Sequence, residues 1–184
     1  MQPNNLTGIS ACGPLAERAR TIFAIVSRMT TSDQTPHTSP DWRRHLLDDS
    51  AGIARLLRRT RRIAVLGIKT SESRQPAYYV PEYAQRAGFE IVPVPVYYPD
   101  VTEILGQPVF RSVSAIPGVV DMVNVFRRPA DIDAHVDDIL AKLPQSVWFQ
   151  QGIRNVAAAE RLAKAGIDVV QDRCLLVELG AIGL

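Results

Sequence analysis

Five short apolar runs recur along the chain, at 63–67 (Ile63-Ala-Val-Leu-Gly67), 90–94, 121–126, 146–150 and 168–170, and helical periodicity fills the stretches between them. No other feature constrains the fold as strongly, because uninterrupted β-branched runs without polar alternation read as strands buried on both faces. Helices are expected at 50–60, at 79–87 with Gly88 as its stop, at 130–142, and at 155–165 with Gly166 closing it, plus a short helical turn at 113–116. Strands alternating with helices are joined by right-handed crossovers. The expected fold is therefore α/β, a Rossmann-like parallel sheet of about five strands with helices on both faces.

Ahead of the first strand, Ser39, Pro40 and Asp41 have the residue types of an N-cap, N1 and N2, which predicts a short helix through Leu47. Residues 29–38 form a polar stretch with little to bury, the composition of a flexible linker. The expected division is an extension at 1–38, disordered or wrongly included in the reading frame, and a single domain at 39–184. For 184 residues, 46% hydrophobic and 22% charged, one core is the expected number.

The net charge of +2 is too small to make nucleic acid or an acidic membrane surface the main partner. The basic excess is local: residues 41–62 hold seven arginines against three aspartates, whereas 63–184 hold eleven Lys/Arg against fourteen Asp/Glu. Arginines at 55, 58 and 59 on an amphipathic helix without interleaved aromatics read as a solvated face. No run approaches the roughly 20 apolar residues of a membrane span. Two widely separated cysteines, Cys12 and Cys174, make no disulfide framework, so a reducing cytoplasm is expected. No metal site is expected either.

In a sheet of this class the ligand binds beyond the carboxyl ends of the strands, where strand order reverses and helix N-termini offer free amides. The loop after the first strand, 67–77, combines a glycine, hydroxyls, Lys69 and Arg74, which suits phosphate. It has neither G-x-G-x-x-G nor G-x-x-x-x-G-K-[ST], so a standard dinucleotide fingerprint and a P-loop are both excluded. A plain polar connector remains the other reading.

Val65-Leu-Gly67, Arg74-Gln-Pro76-Ala-Tyr-Tyr-Val80, Asp121-Met-Val-Asn-Val-Phe-Arg127, Val147-Trp-Phe-Gln-Gln-Gly-Ile153 and Asp168-Val-Val-Gln-Asp-Arg-Cys174, taken together and in order, resemble the small bacterial CoA-binding proteins. These are single-domain relatives of the N-terminal CoA-binding domain in the alpha subunit of succinyl-CoA synthetase. The resemblance covers 46–184. It implies a domain that holds coenzyme A or an acyl-CoA across the strand ends. It also implies that Gly67, Ile68, Lys69, Ser71, Arg74 and Pro76 face the phosphates. Val125, Phe126 and Arg127 would line the adenine or pantetheine channel, with Gln151, Gly152 and Asn155 beside it. Where many relatives have Asn-Pro after the second strand, this chain reads Pro95-Val96-Tyr97-Tyr98, so a tyrosine here either stacks on adenine or covers the core.

The synthetase's phosphorylated histidine lies in a following domain, so ligase activity is not expected of this chain. His37, His45 and His135 are expected to be solvated side chains. Cys174, after the last strand and beside Arg173, is the one candidate for chemistry: either a thiolate able to form a mixed disulfide with CoA, or a small buried residue with Asp172 and Arg173 paired next to it. Two other function classes stay open. One is an NAD- or FMN-binding oxidoreductase, opposed by the absence of an acidic residue ending the second strand. The other is an interaction module that senses acyl-CoA, with the basic segment 43–62 as its docking surface. Trp42 and a C-terminal apolar tail at 175–184 are compatible with a homodimer or an unknown protein partner.

Overall fold

A computed structural model describes residues 41–184. The expectations for 1–38, for Ser39 and Pro40, and for Cys12 and His37 lie outside the described residues.

Six parallel strands form one sheet in the order β1-β8-β7-β6-β2-β3: β1 Leu46–Leu47, β2 Arg62–Leu66, β3 Glu90–Val94, β6 Met122–Val125, β7 Ser146–Phe149 and β8 Asp168–Val170. A separate antiparallel hairpin, β4 Glu103–Ile104 and β5 Gln107–Pro108, follows β3. Its turn places Leu105 and Gly106 at φ 57° and 72°, the left-handed pair of a tight hairpin. The helices are α1 Ser50–Arg59, α2 Pro76–Arg86, α3 Asp133–Lys142, α4 Val156–Lys164 and α5 Leu175–Ala181.

Alternate residues of each strand feed different layers. Ala64, Leu66, Val92, Val94, Val123, Val125, Val147, Phe149 and Val169 meet α3 and α4. Ile63, Val65, Ile91, Met122, Trp148 and Val170 meet α1, α2 and α5. Both faces are dry, which is why the strands show no polar alternation in sequence. Asp49 accepts a hydrogen bond from the amide of Gly52 at 2.7 Å to start α1, and Asn155 accepts one from the amide of Ala158 at 2.9 Å to start α4.

Two segments correct the sequence reading. The segment expected to be helical through Leu47 is a single tight turn, Trp42–His45, followed by the edge strand β1. The reason is that Leu46 packs into the α3/α4 layer and Leu47 into the opposite one, and consecutive residues reach opposite faces only when extended. The C-terminal apolar tail is α5, with Leu175 and Leu179 buried one turn apart. Trp42, too, is half-buried, with the Arg43 guanidinium 4.6 Å and the Lys164 ammonium 5.6 Å from its ring. The short turn expected at 113–116 is present, closed by the Ile116 amide on Val113 O at 3.2 Å.

Because Leu179 is wholly buried, Leu179→Ala is expected to destabilise the fold by about 2–5 kcal/mol. Urea unfolding would show this as a lower midpoint, whereas a solvated tail would leave the midpoint unchanged.

Candidate functional site

The chain runs from β2 outward to β3, then returns to β6 on the other side of β2 and continues away through β7 and β8. Strand order thus reverses between β2 and β6, and their register keeps them level: Leu66 pairs with both Val94 and Val125, and Val125 with Phe149. The loops that follow consequently emerge side by side. Between them opens a cleft of about 780 Å3, lined by Lys69, Gln75, Pro76, Ala77, Tyr79 and Val80 on one wall. Tyr97, Phe126, Arg127, Arg128 and Pro129 form another wall, and Gln150, Gln151, Ile153 and Cys174 complete it.

Gly67 makes this convergence possible. At φ +86° it turns the chain out of β2 while touching the end of β6; a Cβ here would lie 2.5 Å from Phe126 O. The β2–α2 loop is held from its far side by a consequence of Pro81. Proline lacks the N–H that would bond Ala77 O within α2, and the backbone amide of Lys69 donates to that carbonyl at 3.1 Å instead. Lys69 is thereby fixed at the mouth of α2, where its Nζ donates to Gln75 Oε1 at 2.6 Å. Gln75, at the cap of α2, makes no side-chain bond to the first turn, so the positive end of the helix is open to the cleft.

Across the cleft, Arg127 and Arg128 share one carboxylate, with Arg128 Nε 2.8 Å and Arg127 Nη2 3.3 Å from Asp131. Two cations on one anion leave a net positive wall. The Arg128 guanidinium holds the Asp131 carboxyl below its usual range. Arg127 is nearly buried, and its Nε has no hydrogen-bond partner among the described residues. Its guanidinium lies 5.4 Å from the centre of the Tyr97 ring and draws the phenol pKa below its ordinary value.

Of the residues expected from sequence, Lys69, Pro76, Phe126, Arg127, Gln151 and Cys174 line this cleft. Gly67 and Ile68 are buried beneath it, and Val125 faces the α3/α4 layer. Ser71 and Arg74 are exposed on the loop outside the lining, Arg74 at φ 49°. The Gly152 amide donates to Asp172 Oδ1 at 2.7 Å, and Asn155 donates to Pro129 O and Asp133 Oδ1, each at 3.1 Å, while capping α4. Asp172 and Arg173 do not pair with each other: Asp172 faces Arg154 at 4.0 Å and Arg173 bonds Glu178 at 3.2 Å. Sequence reasoning missed Gln150, although two-residue periodicity from Trp148 already put it on the other face from Phe149. It also missed Tyr79, although that residue lies in the run 74–80, and Arg128, which follows the run ending at Arg127.

Two histidines differ from expectation. His45 is largely buried and bonds Asp168 through Nδ1 at 2.7 Å, with Arg59 on the same carboxylate. His135 lines a second cavity of about 250 Å3 with Val94, Pro95, Tyr97, Arg111 and Asp138, next to the first. Burial, reinforced by Arg127, holds the His135 pKa below its ordinary value against the opposing pull of Asp138 and Asp131. Among the described residues no three His, Cys, Asp or Glu side chains gather as a metal ion would require.

The donor set fits a ligand with separated anionic groups and an amide-bearing arm. Lys69, the open end of α2 and the arginine pair supply positive charge at two walls, and Gln75, Gln150 and Gln151 supply amides that both donate and accept. Coenzyme A has that chemistry.

Residues 61–180 match the family of CoA binding domains. The chain is 35% identical over 127 residues to the uncharacterized protein YneT of Bacillus subtilis (strain 168), a match that spans 69% of this chain and 91% of that one. Cell-free ID.343 from Thermus thermophilus has a similar structure, with a TM-score of 0.67 at 35% identity over 73% of this chain and 99% of the other. A hypothetical protein from Pyrococcus horikoshii OT3 gives the same TM-score at 28% identity, covering 73% and 92% of the two chains.

Two outcomes are expected of substitutions here. Gly67→Ala should destabilise by at least about 1–3 kcal/mol, read as a lower urea midpoint, since both φ and the contact with Phe126 O oppose a side chain. The unfolded chain protonates His135 before the folded one does. Stability should therefore be lost as pH falls below about 6.5, and His135→Gln should flatten that part of the profile relative to the parent protein.

Proposed function

We propose that this chain, which belongs to the CoA-binding domain family, holds coenzyme A or an acyl-CoA across the carboxyl ends of β2, β6, β7 and β8. The observation that carries this reading is the convergence of Lys69, the uncapped end of α2 and the Arg127–Arg128 pair on one cleft at the strand-order reversal. Its volume lies within the roughly 300–1,000 Å3 of ligand pockets. The phosphates are assigned to Lys69 and the α2 N-terminus, with Arg74 and Ser71 at the outer lip of the same loop. The arginine wall takes the remaining anionic group, and the pantetheine amides run toward Gln150 and Gln151.

The protein's role is binding without ligation. Among the described residues no histidine lines the main cleft: His45 is tied to Asp168, and His135 faces the second cavity. An NAD site is disfavoured because β3 ends in buried Val94 and Pro95, where a ribose-binding carboxylate would be needed.

Thermal unfolding with matched concentrations of CoA, acetyl-CoA, dephospho-CoA, NAD and FMN tests this. CoA should raise Tm, and dephospho-CoA should raise it less. Stabilisation by NAD or FMN alone would overturn the reading. Lys69→Ala and Arg127→Ala should each weaken CoA binding by about 1–3 kcal/mol, measured by calorimetric titration.

A further inference from the structure

Cys174 lies in the same cleft as the residues assigned to the ligand, half-buried and free. The chain is fixed closely around it. Trp148 Nε1 donates to Arg173 O at 2.8 Å, the Arg173 amide donates to Phe149 O at 3.4 Å, and the Glu178 amide donates to Cys174 O at 3.1 Å. Beside it, Gln150 is 4% exposed and held at both ends: Nε2 donates to Asn124 Oδ1 at 2.9 Å, and Oε1 accepts from the Leu175 amide at 3.3 Å. Behind Gln150, Asn124 is wholly buried on β6, and its Nδ2 has no hydrogen-bond partner among the described residues.

A buried donor without an acceptor is costly, so Asn124 Nδ2 calls for a partner. The string Asn124–Gln150–Leu175 amide ends one peptide bond from Cys174. The one cleft thus brings the cations Lys69, Arg127 and Arg128 together with the Gln150 and Gln151 amides and the Cys174 thiol. A ligand that combines phosphates, amides along an arm and a sulfur matches these groups in kind.

Resting on the CoA reading above, we propose that Cys174 is a site of covalent CoA attachment, formed by thiol–disulfide exchange with CoA disulfide. The Cys174 thiolate attacks one sulfur of CoA-S-S-CoA. A protein–CoA disulfide forms, the original S–S bond breaks, and one CoA leaves as thiolate and takes up the proton that Cys174 released. One disulfide is consumed and one formed, so no further oxidant enters. A free thiol reverses the step. Binding the phosphate end first holds the sulfur near Cys174 and makes the exchange effectively intramolecular.

The test uses the full chain carrying Cys12→Ser, which leaves Cys174 as its one thiol. Intact mass is followed over time with CoA disulfide and, separately, with glutathione disulfide at equal concentration. The expected result is one CoA moiety per chain, formed about tenfold faster or more than the glutathione adduct, slowed by Lys69→Ala and abolished by Cys174→Ser. Equal rates for the two disulfides, or an adduct of the unsubstituted protein that forms only on Cys12, would overturn it. Reduced CoA is then tested on Cys174→Ser by thermal shift. A shift here, with no adduct on Cys174 in the other chain, would sink the covalent step and leave the binding site standing. No shift with any form of CoA would remove both.

Discussion

A parallel sheet covered by helices on both faces has nowhere to keep polar chemistry except at the ends of its strands. Here α3 and α4 dry one face and α1, α2 and α5 the other, down to residues as large as Trp148 and Phe149 with no exposed surface. The polar side chains that face the cleft accordingly come from the loops beyond the strand ends and from the first turn of α2, which supplies Tyr79. Gln150 and Asn124, the polar residues that enter the buried layer near the cleft, are bonded to each other. Their placement follows from the same constraint: inside the sheet a polar group must find a partner or carry its desolvation penalty.

The positive character of the cleft is likewise local. The arginines of α1 belong to a separate surface, and within the site the charge comes from Lys69, Arg127 and Arg128 with only Asp131 to offset it. Tyr97 connects this region to the smaller cavity of His135 by lining both. Its ring lies by the Arg127 guanidinium and is half-exposed, so it does not cover the core.

Much of the sheet was legible because strand burial writes itself as continuous apolar runs: β3 and β8 were read with their observed limits, and β2, β6 and β7 to within a residue or two at their ends. Two-residue elements leave no periodicity to detect, so β1 and the β4–β5 hairpin escaped. The helix α5 escaped because only Leu175 and Leu179 mark its buried stripe, in a stretch that two glycines make look irregular. At the site, charged and glycine-bearing loops drew attention to Lys69, Arg127 and Gln151. Gln150, which faces inward, was missed although its two-residue spacing from Trp148 marked that face, and nothing in the sequence indicated that Asn155 is consumed by capping α4 and bonding Pro129 and Asp133.

Pro81 is buried inside α2, and its missing amide is what frees Ala77 O for Lys69. Helix and loop therefore form one mechanical piece: the loop cannot swing away without stranding a backbone carbonyl in the first turn of α2, and α2 cannot fray there without releasing Lys69. A load placed on the Lys69 side chain from within the cleft is carried directly into α2 and, through Val80 and Ala84, into the layer it shares with α1 and α5. A flaw in the helix by ordinary propensity becomes the rivet that joins the loop to the helix.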